Sequence, residues 1–139
     1  MKTAIITGCN RGLGKALMED FSSNGYEVIA MVRTNSDDFQ NTLKGLRENG
    51  AIITPVYAEL SDKDSLQKVI KEITDLNKPI DVLVNSAAIN ISKPIFFMVY
   101  EDVENSLKVN YLAPFFLTKE ICNLMIRQGH GSIINISSV

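Results

Sequence analysis

Short apolar runs alternate along this chain with longer stretches of helical spacing, and that alternation constrains the fold more than any other feature. Thr3–Thr7 reads as a buried strand ended by Gly8, and a helix is expected from about Gly12 to Ser23, stopped by Asn24 and Gly25. Glu27–Val32 is the second apolar run. Ser36, Asp37 and Asp38 can cap a second helix that continues through Leu43 and Leu46 to Asn49 and Gly50. Ala51–Tyr57 is the third strand, and its Pro55 suits a sheet edge better than a sheet centre. Ser61–Asp64 opens a helix with Leu66, Val69, Ile70 and Ile73 at helical spacing. Pro79 precedes a fourth strand, Ile80–Val84, and residues 90–94 read as loop. A long helical stretch over about 100–128 is broken by Gly129, His130 and Gly131, before a fifth strand, Ser132–Ile136. Strands that are apolar throughout and separated by helices bury both faces of a parallel sheet. The expected fold class is therefore α/β, a doubly wound parallel sheet, with residues 1–139 forming one domain without repeat or linker.

Composition excludes several function classes. The 139 residues carry 14 basic and 16 acidic side chains, so no cationic excess recommends nucleic acid or an anionic membrane as partner. The apolar run near the N-terminus is too short for a signal-peptide core, and none is long enough to span a bilayer. Cys9 and Cys122 lie far apart and form no metal-ligand spacing, so no metal is expected. Two such cysteines fit a reducing cytoplasm, which is the expected location.

Thr7-Gly8-Cys9-Asn10-Arg11-Gly12-Leu13-Gly14 joins the first strand to the first helix. A dinucleotide pyrophosphate needs backbone N–H groups at a helix N-terminus with no side chain in the way, and glycines supply the tight turn and the close approach. The spacing is Gly-x-x-x-Gly-x-Gly rather than the commoner Gly-x-Gly-x-x-Gly. This segment resembles the Thr-Gly-x-x-x-Gly-x-Gly motif of the single-domain short-chain dehydrogenases/reductases. The resemblance implies a Rossmann fold and a nicotinamide dinucleotide held by Thr7, Gly8, Asn10, Arg11, Gly12, Leu13 and Gly14.

The end of the second strand selects the dinucleotide. An acid there bonds the adenine ribose hydroxyls when NAD is bound, but Val32 stands where the acid is expected. Arg33 follows and offers a bidentate partner for a 2′-phosphate, with Arg11 within reach as a second. NADP(H) is therefore expected over NAD(H). Glu59-Leu60, after the third strand, is similar to the family position where an aspartate touches the adenine amino group; an exposed acid near a helix start remains the alternative for Glu59.

Asn85-Ser86-Ala87-Ala88 resembles the family's Asn-Asn-Ala-Gly turn, which implies contact of Asn85, Ala87 and Ala88 with the cofactor region. It departs from that pattern at Ser86 and Ala88, and alanine at the last position is costly if φ must be positive. Val109-Asn110 matches the asparagine of the family's catalytic tetrad. Pro114 lies four residues on and has no N–H for the Asn110 carbonyl, so a kink and a water on that oxygen are expected. Gly131–Val139 is similar to the strand that delivers the catalytic serine, which implies Ser138 as the group polarising a substrate carbonyl. The family's Tyr-x-x-x-Lys pair is absent: Tyr26, Tyr57, Tyr100 and Tyr111 are followed four residues later by Ala30, Ser61, Glu104 and Phe115. His130 reads as structural.

The resemblance thus implies an oxidoreductase moving a hydride between NADP(H) and a small-molecule carbonyl or alcohol, with Asn110 and Ser138 in the active site. The given chain is expected to be the N-terminal portion of such a protein, ending after the fifth strand and inactive alone. A non-catalytic NADP(H)-binding protein is the alternative, and nucleotide-sugar epimerase or dehydratase chemistry ranks last on glycine spacing. Phe115, Phe116, Leu117 and Ile121 on the long helix, and an unpaired edge on the last strand, lead us to expect self-association.

Overall fold

The computed structural model describes residues 1–138. Strand β1 (Lys2–Thr7) lies at the centre of a five-stranded sheet, between β2 (Tyr26–Val32) and β4 (Val82–Asn85). Beyond β2 lies β3 (Ile53–Tyr57), and beyond β4 lies β5 (Ser132–Asn135), giving the order β3-β2-β1-β4-β5 with every pairing parallel. The chain steps outward from β1 to β3, then returns across the sheet to β4. That reversal opens a crevice at the carboxyl ends of β1 and β4, where doubly wound sheets bind ligands.

Alternation along the strands sends side chains to two cores. Ala4 and Ile6 of β1 join Val28, Ala30 and Val32 of β2 on one face. Helices α1 (Gly12–Ser23) and α2 (Asp37–Glu48) cover it with Met18, Phe39 and Leu43. Ile5, Ile29 and Leu83 point to the other face, under α3 (Lys63–Asp75) and α5 (Ala113–Gln128). Helix α5 buries Ala113, Leu117, Ile121 and Met125, a seam four residues apart. Leu117 and Ile121 are fully buried, each worth about 1.5–3 kcal/mol of transfer free energy.

The caps agree with the sequence. The Ser36 hydroxyl accepts from Phe39 N–H at 3.2 Å, and the Asp62 carboxylate from Ser65 N–H at 3.0 Å. Pro55 raises no conflict, because β3 is an edge strand. Two features depart from expectation. Ile95–Phe97 forms a 3-10 turn. The single long helix is three elements: α4 (Tyr100–Leu107), a π-helical turn over Lys108–Leu112, and α5. A π turn accommodates one extra residue, and it ends beside Pro114, which cannot donate in the α-helical pattern.

Candidate cofactor cleft and active-site floor

The glycine turn is fixed by its neighbours on both sides. Gly8 and Cys9 donate their N–H groups to Met31 O at 2.9 and 3.3 Å, tying the turn to β2. The Thr7 hydroxyl, almost fully buried, accepts from the N–H groups of Ser86 and Ala87 at 3.0 and 2.9 Å, tying it to the segment after β4. Thr7 is thus turned inward as a brace. Packing leaves no room for side chains at two glycines. A Cβ on Gly14 would lie 2.1 Å from Gly8 O, and one on Gly8 would lie 3.0 Å from Ala87 Cα. Gly12 shares a positive φ with Gly8, +56° against +77°, but a Cβ on it would meet nothing within 4 Å, so it borders open space.

That space belongs to a cleft of about 560 Å³, lined by Gly8, Asn10, Arg11, Gly12, Leu13 and Gly14 of the turn. Met31 to Thr34, Ala58 to Leu60, Ser86 to Ile89, Val109 and Ile136 complete it. Every cofactor residue expected from sequence except Thr7 and Asn85 therefore lines one cleft. Helix α1 opens onto it without a side-chain cap at Arg11 and without an acidic residue in its first turn. Its leading N–H groups and its positive dipole end are left for an anion. Arg33 stands at the other end of the cleft, with Nε 3.8 Å from Glu59 Oε2.

The turn after β4 keeps ordinary backbone despite its departures from the family pattern. Among the described residues Asn77 is the one non-glycine with positive φ, so Ala88 incurs no left-handed strain. Asn85 is buried; its amide donates to Thr118 Oγ1 at 2.9 Å and to Asn135 Oδ1 at 2.8 Å, stitching β4 to α5 and β5. Its own Oδ1 is buried without a partner among the described residues.

Asn110 sits inside the π turn and clasps the loop opposite. Its Oδ1 accepts from Ile89 N–H at 2.9 Å and its Nδ2 donates to Ile89 O at 2.8 Å. Sequence reasoning had no access to this clasp, which joins residues 21 apart. Asn110 also lines a second cleft of about 1020 Å³, with Asn85, Tyr111, Pro114, Thr118, Lys119 and Ser138. The two clefts share Ala87, Ala88, Ile89 and Ile136, so they abut. Asn110 and Ser138, the two catalytic candidates, line one cavity that opens from the glycine cleft.

Other candidate chemistry is quiet. Burial pushes the Cys9 thiol up to about 12, and its Sγ donates to Ile6 O at 3.1 Å, so it is a packed neutral thiol. His130 Nδ1 lies 3.5 Å from Asp81 Oδ1 at the opposite end of β4. No group of metal-ligating side chains occurs among the described residues, and no helix there is long and apolar enough to cross a membrane.

The family profile described as short chain dehydrogenase matches residues 2–139. A 3-oxoacyl-[acyl-carrier-protein] reductase FabG of Buchnera aphidicola is 34% identical over 99% of this chain and 55% of its own length. An uncharacterized oxidoreductase of Thermotoga maritima is 31% identical over 99% of this chain and 53% of its own. The chain thus spans about half the length of the curated relatives it matches. A metagenomic short-chain oxidoreductase solved in complex with NADP superposes with a TM-score of 0.91 at 27% identity, covering 99% of this chain and 62% of that one. The bulky-bulky ketone specific alcohol dehydrogenase of Comamonas testosteroni gives 0.92 at 26% identity, covering 100% and 55%. With the glycine cradle, the switch-point crevice and a match over nearly its whole length, this chain belongs to the short-chain dehydrogenase family.

Proposed function

We propose that residues 1–139 are the dinucleotide-binding domain of an NADP(H)-dependent oxidoreductase acting on a carbonyl or alcohol carbon. The observation that carries this reading is the cradle at the switch point. Glycines 8 and 14 pack against backbone where a side chain would collide, Gly12 borders open space, and the uncapped α1 N-terminus faces the same cleft. These residues fit a pyrophosphate: Gly12, Leu13 and Gly14 would hold it through backbone N–H groups. Arg33, with no carboxylate at Val32, would hold a 2′-phosphate through its guanidinium. The bound nicotinamide supplies or accepts the hydride.

Within this chain, Asn110 and Ser138 serve the reacting end. The Ser138 hydroxyl would donate to a substrate carbonyl oxygen and polarise it. Asn110 spends its side chain on Ile89, so its part is to hold the loop between the clefts in place and to present its main-chain carbonyl. Pro114 gives that carbonyl no N–H, which suits an ordered water there. Proton transfer requires a further acid/base, because no tyrosine here is followed by lysine at the fourth position. The relatives' names support carbonyl chemistry without narrowing the substrate. The exposed Phe115 and Phe116 on α5 support self-association of the complete protein.

NADPH oxidation across a carbonyl panel tests the activity. Consumption dependent on a carbonyl supports an oxidoreductase; NADPH binding without turnover by the complete protein supports the second reading, a non-catalytic binding protein.

A further inference from the structure

Glu59 is anchored more firmly than an exposed loop acid needs to be. Its N–H donates to Ser65 Oγ at 2.9 Å and its carbonyl accepts from Asp62 N–H at 3.1 Å. Both partners belong to the capped start of α3, where Ser65 N–H also binds the Asp62 carboxylate at 3.0 Å. The side chain is fixed as well. Oε1 accepts from the Ser61 hydroxyl at 2.8 Å and from Ser61 N–H at 3.3 Å. That leaves Oε2 on the side of Arg33, 3.8 Å from Nε. The Arg33 side chain is 69% exposed, and this ion pair is its one polar contact among the described residues. The carboxylate lies toward the Nε edge, so the terminal two-nitrogen fork is not taken up by it.

We propose that Glu59 and Ser61 are positioning residues that aim the Arg33 guanidinium at the 2′-phosphate of NADP(H). The inference rests on the NADP(H) reading above and assigns Glu59 to the arginine instead of the adenine amino group. Two effects oppose each other. The carboxylate repels an incoming phosphate, but both groups are solvent-exposed, and salt and water screen that repulsion. Against it stands the rotamer freedom of a long side chain, which phosphate binding must otherwise remove. A fork already oriented can form two parallel N–H···O bonds without that loss. Screening weakens the orienting attraction as well, but that attraction acts across 3.8 Å at the Nε edge, whereas a phosphate on the terminal fork would sit farther from the carboxylate, so positioning outweighs repulsion. Ser61 is part of the device because its hydroxyl and N–H hold Oε1 and thereby select the Glu59 rotamer that faces Arg33.

The test is a set of equilibrium titrations with NADPH, NADH and adenosine 2′,5′-bisphosphate. The proteins are wild type, Glu59→Gln, Ser61→Ala, Ser61→Thr, Arg33→Ala and the Arg33→Ala/Glu59→Gln double variant. Glu59→Gln and Ser61→Ala are expected to weaken NADPH and the bisphosphate about three- to fivefold, the upper part of what an exposed ion pair contributes. NADH binding stays unchanged, Ser61→Thr retains wild-type affinity, and Glu59→Gln has no further effect once Arg33 is alanine. Tighter NADPH binding by Glu59→Gln would show that repulsion dominates and overturn the proposal. Equal weakening of NADPH and NADH, or an effect that persists without Arg33, would overturn it in favour of an adenine contact or a structural role. A wild-type preference for NADPH that Glu59→Gln leaves intact overturns this inference alone. No wild-type preference overturns the NADP(H) reading and this inference with it.

Discussion

Alanine at Gly14 should unfold the cofactor cradle, against what helix propensity alone says. Gly14 is the third residue of α1, and an ordinary helical glycine gains about 1 kcal/mol on replacement by alanine. Here the added Cβ would stand 2.1 Å from Gly8 O and 2.7 Å from its carbonyl carbon, both main-chain atoms. To reach a tolerable contact, helix and turn must separate by about 1 Å, an overpacking cost of about 1–3 kcal/mol. The separation also strains the bonds from Gly8 and Cys9 N–H to Met31 O, each worth about 1 kcal/mol. The net loss is about 3 kcal/mol after the propensity gain. At an m-value of about 2 kcal/mol/M, the urea midpoint falls by roughly 1.5 M. Gly45→Ala is the control: Gly45 lies within α2, and its Cβ would meet nothing within 4 Å. It should raise the midpoint by about 0.5 M. A Gly14→Ala midpoint at or above wild type, with NADPH binding intact, would refute the close-approach argument.

Arg33→Ala should weaken NADPH about tenfold or more and leave NADH within about twofold, by titration of each nucleotide; equal losses would remove Arg33 from the 2′-phosphate. Asn110→Ala should release the Ile89 loop, read as faster amide exchange at residues 87–91 with little change in β2; unchanged exchange would mean the clasp carries no stability. Cys9, raised to about 12 by burial, should resist thiol reagents at pH 8 in the folded protein, while the partly exposed Cys122 reacts. Because the folded state holds the Cys9 proton more tightly than the unfolded chain, its contribution to stability is full below about pH 9. That contribution is lost as pH rises toward 12, so unfolding followed over pH 8–11 should show falling stability that Cys9→Ala abolishes.

What could be read from sequence was whatever depends on local pattern. Strand and helix order follow from apolar periodicity, and the Ser36 and Asp62 caps follow from side chains that reach the N–H three residues on. The cradle was legible because its three glycines fall within seven residues of one another in the chain. What escaped depends on contacts between distant residues. The Thr7 hydroxyl braces Ser86 and Ala87, some 80 positions away, a contact that no local pattern announces. Asn110 drew notice as a family residue, but its grip on Ile89 is set by how the loop after β4 folds over the π turn. The consequence of Pro114 was visible as an interruption of the helix. Its form was not, since one inserted residue and a simple kink relieve the same missing N–H. Ala88 stands where the family pattern carries glycine, and the backbone there has no positive φ, which the pattern alone does not reveal.

The most direct test of the account is a fluorescence titration of NADPH against the purified protein, with NADH and adenosine 2′,5′-bisphosphate as competitors. The account predicts one saturable NADPH site, displaced by the bisphosphate, with NADH binding more weakly and Gly14→Ala abolishing the signal. Absence of saturable NADPH binding, or binding that Gly14→Ala leaves untouched, would contradict the assignment of the glycine cradle as the dinucleotide site.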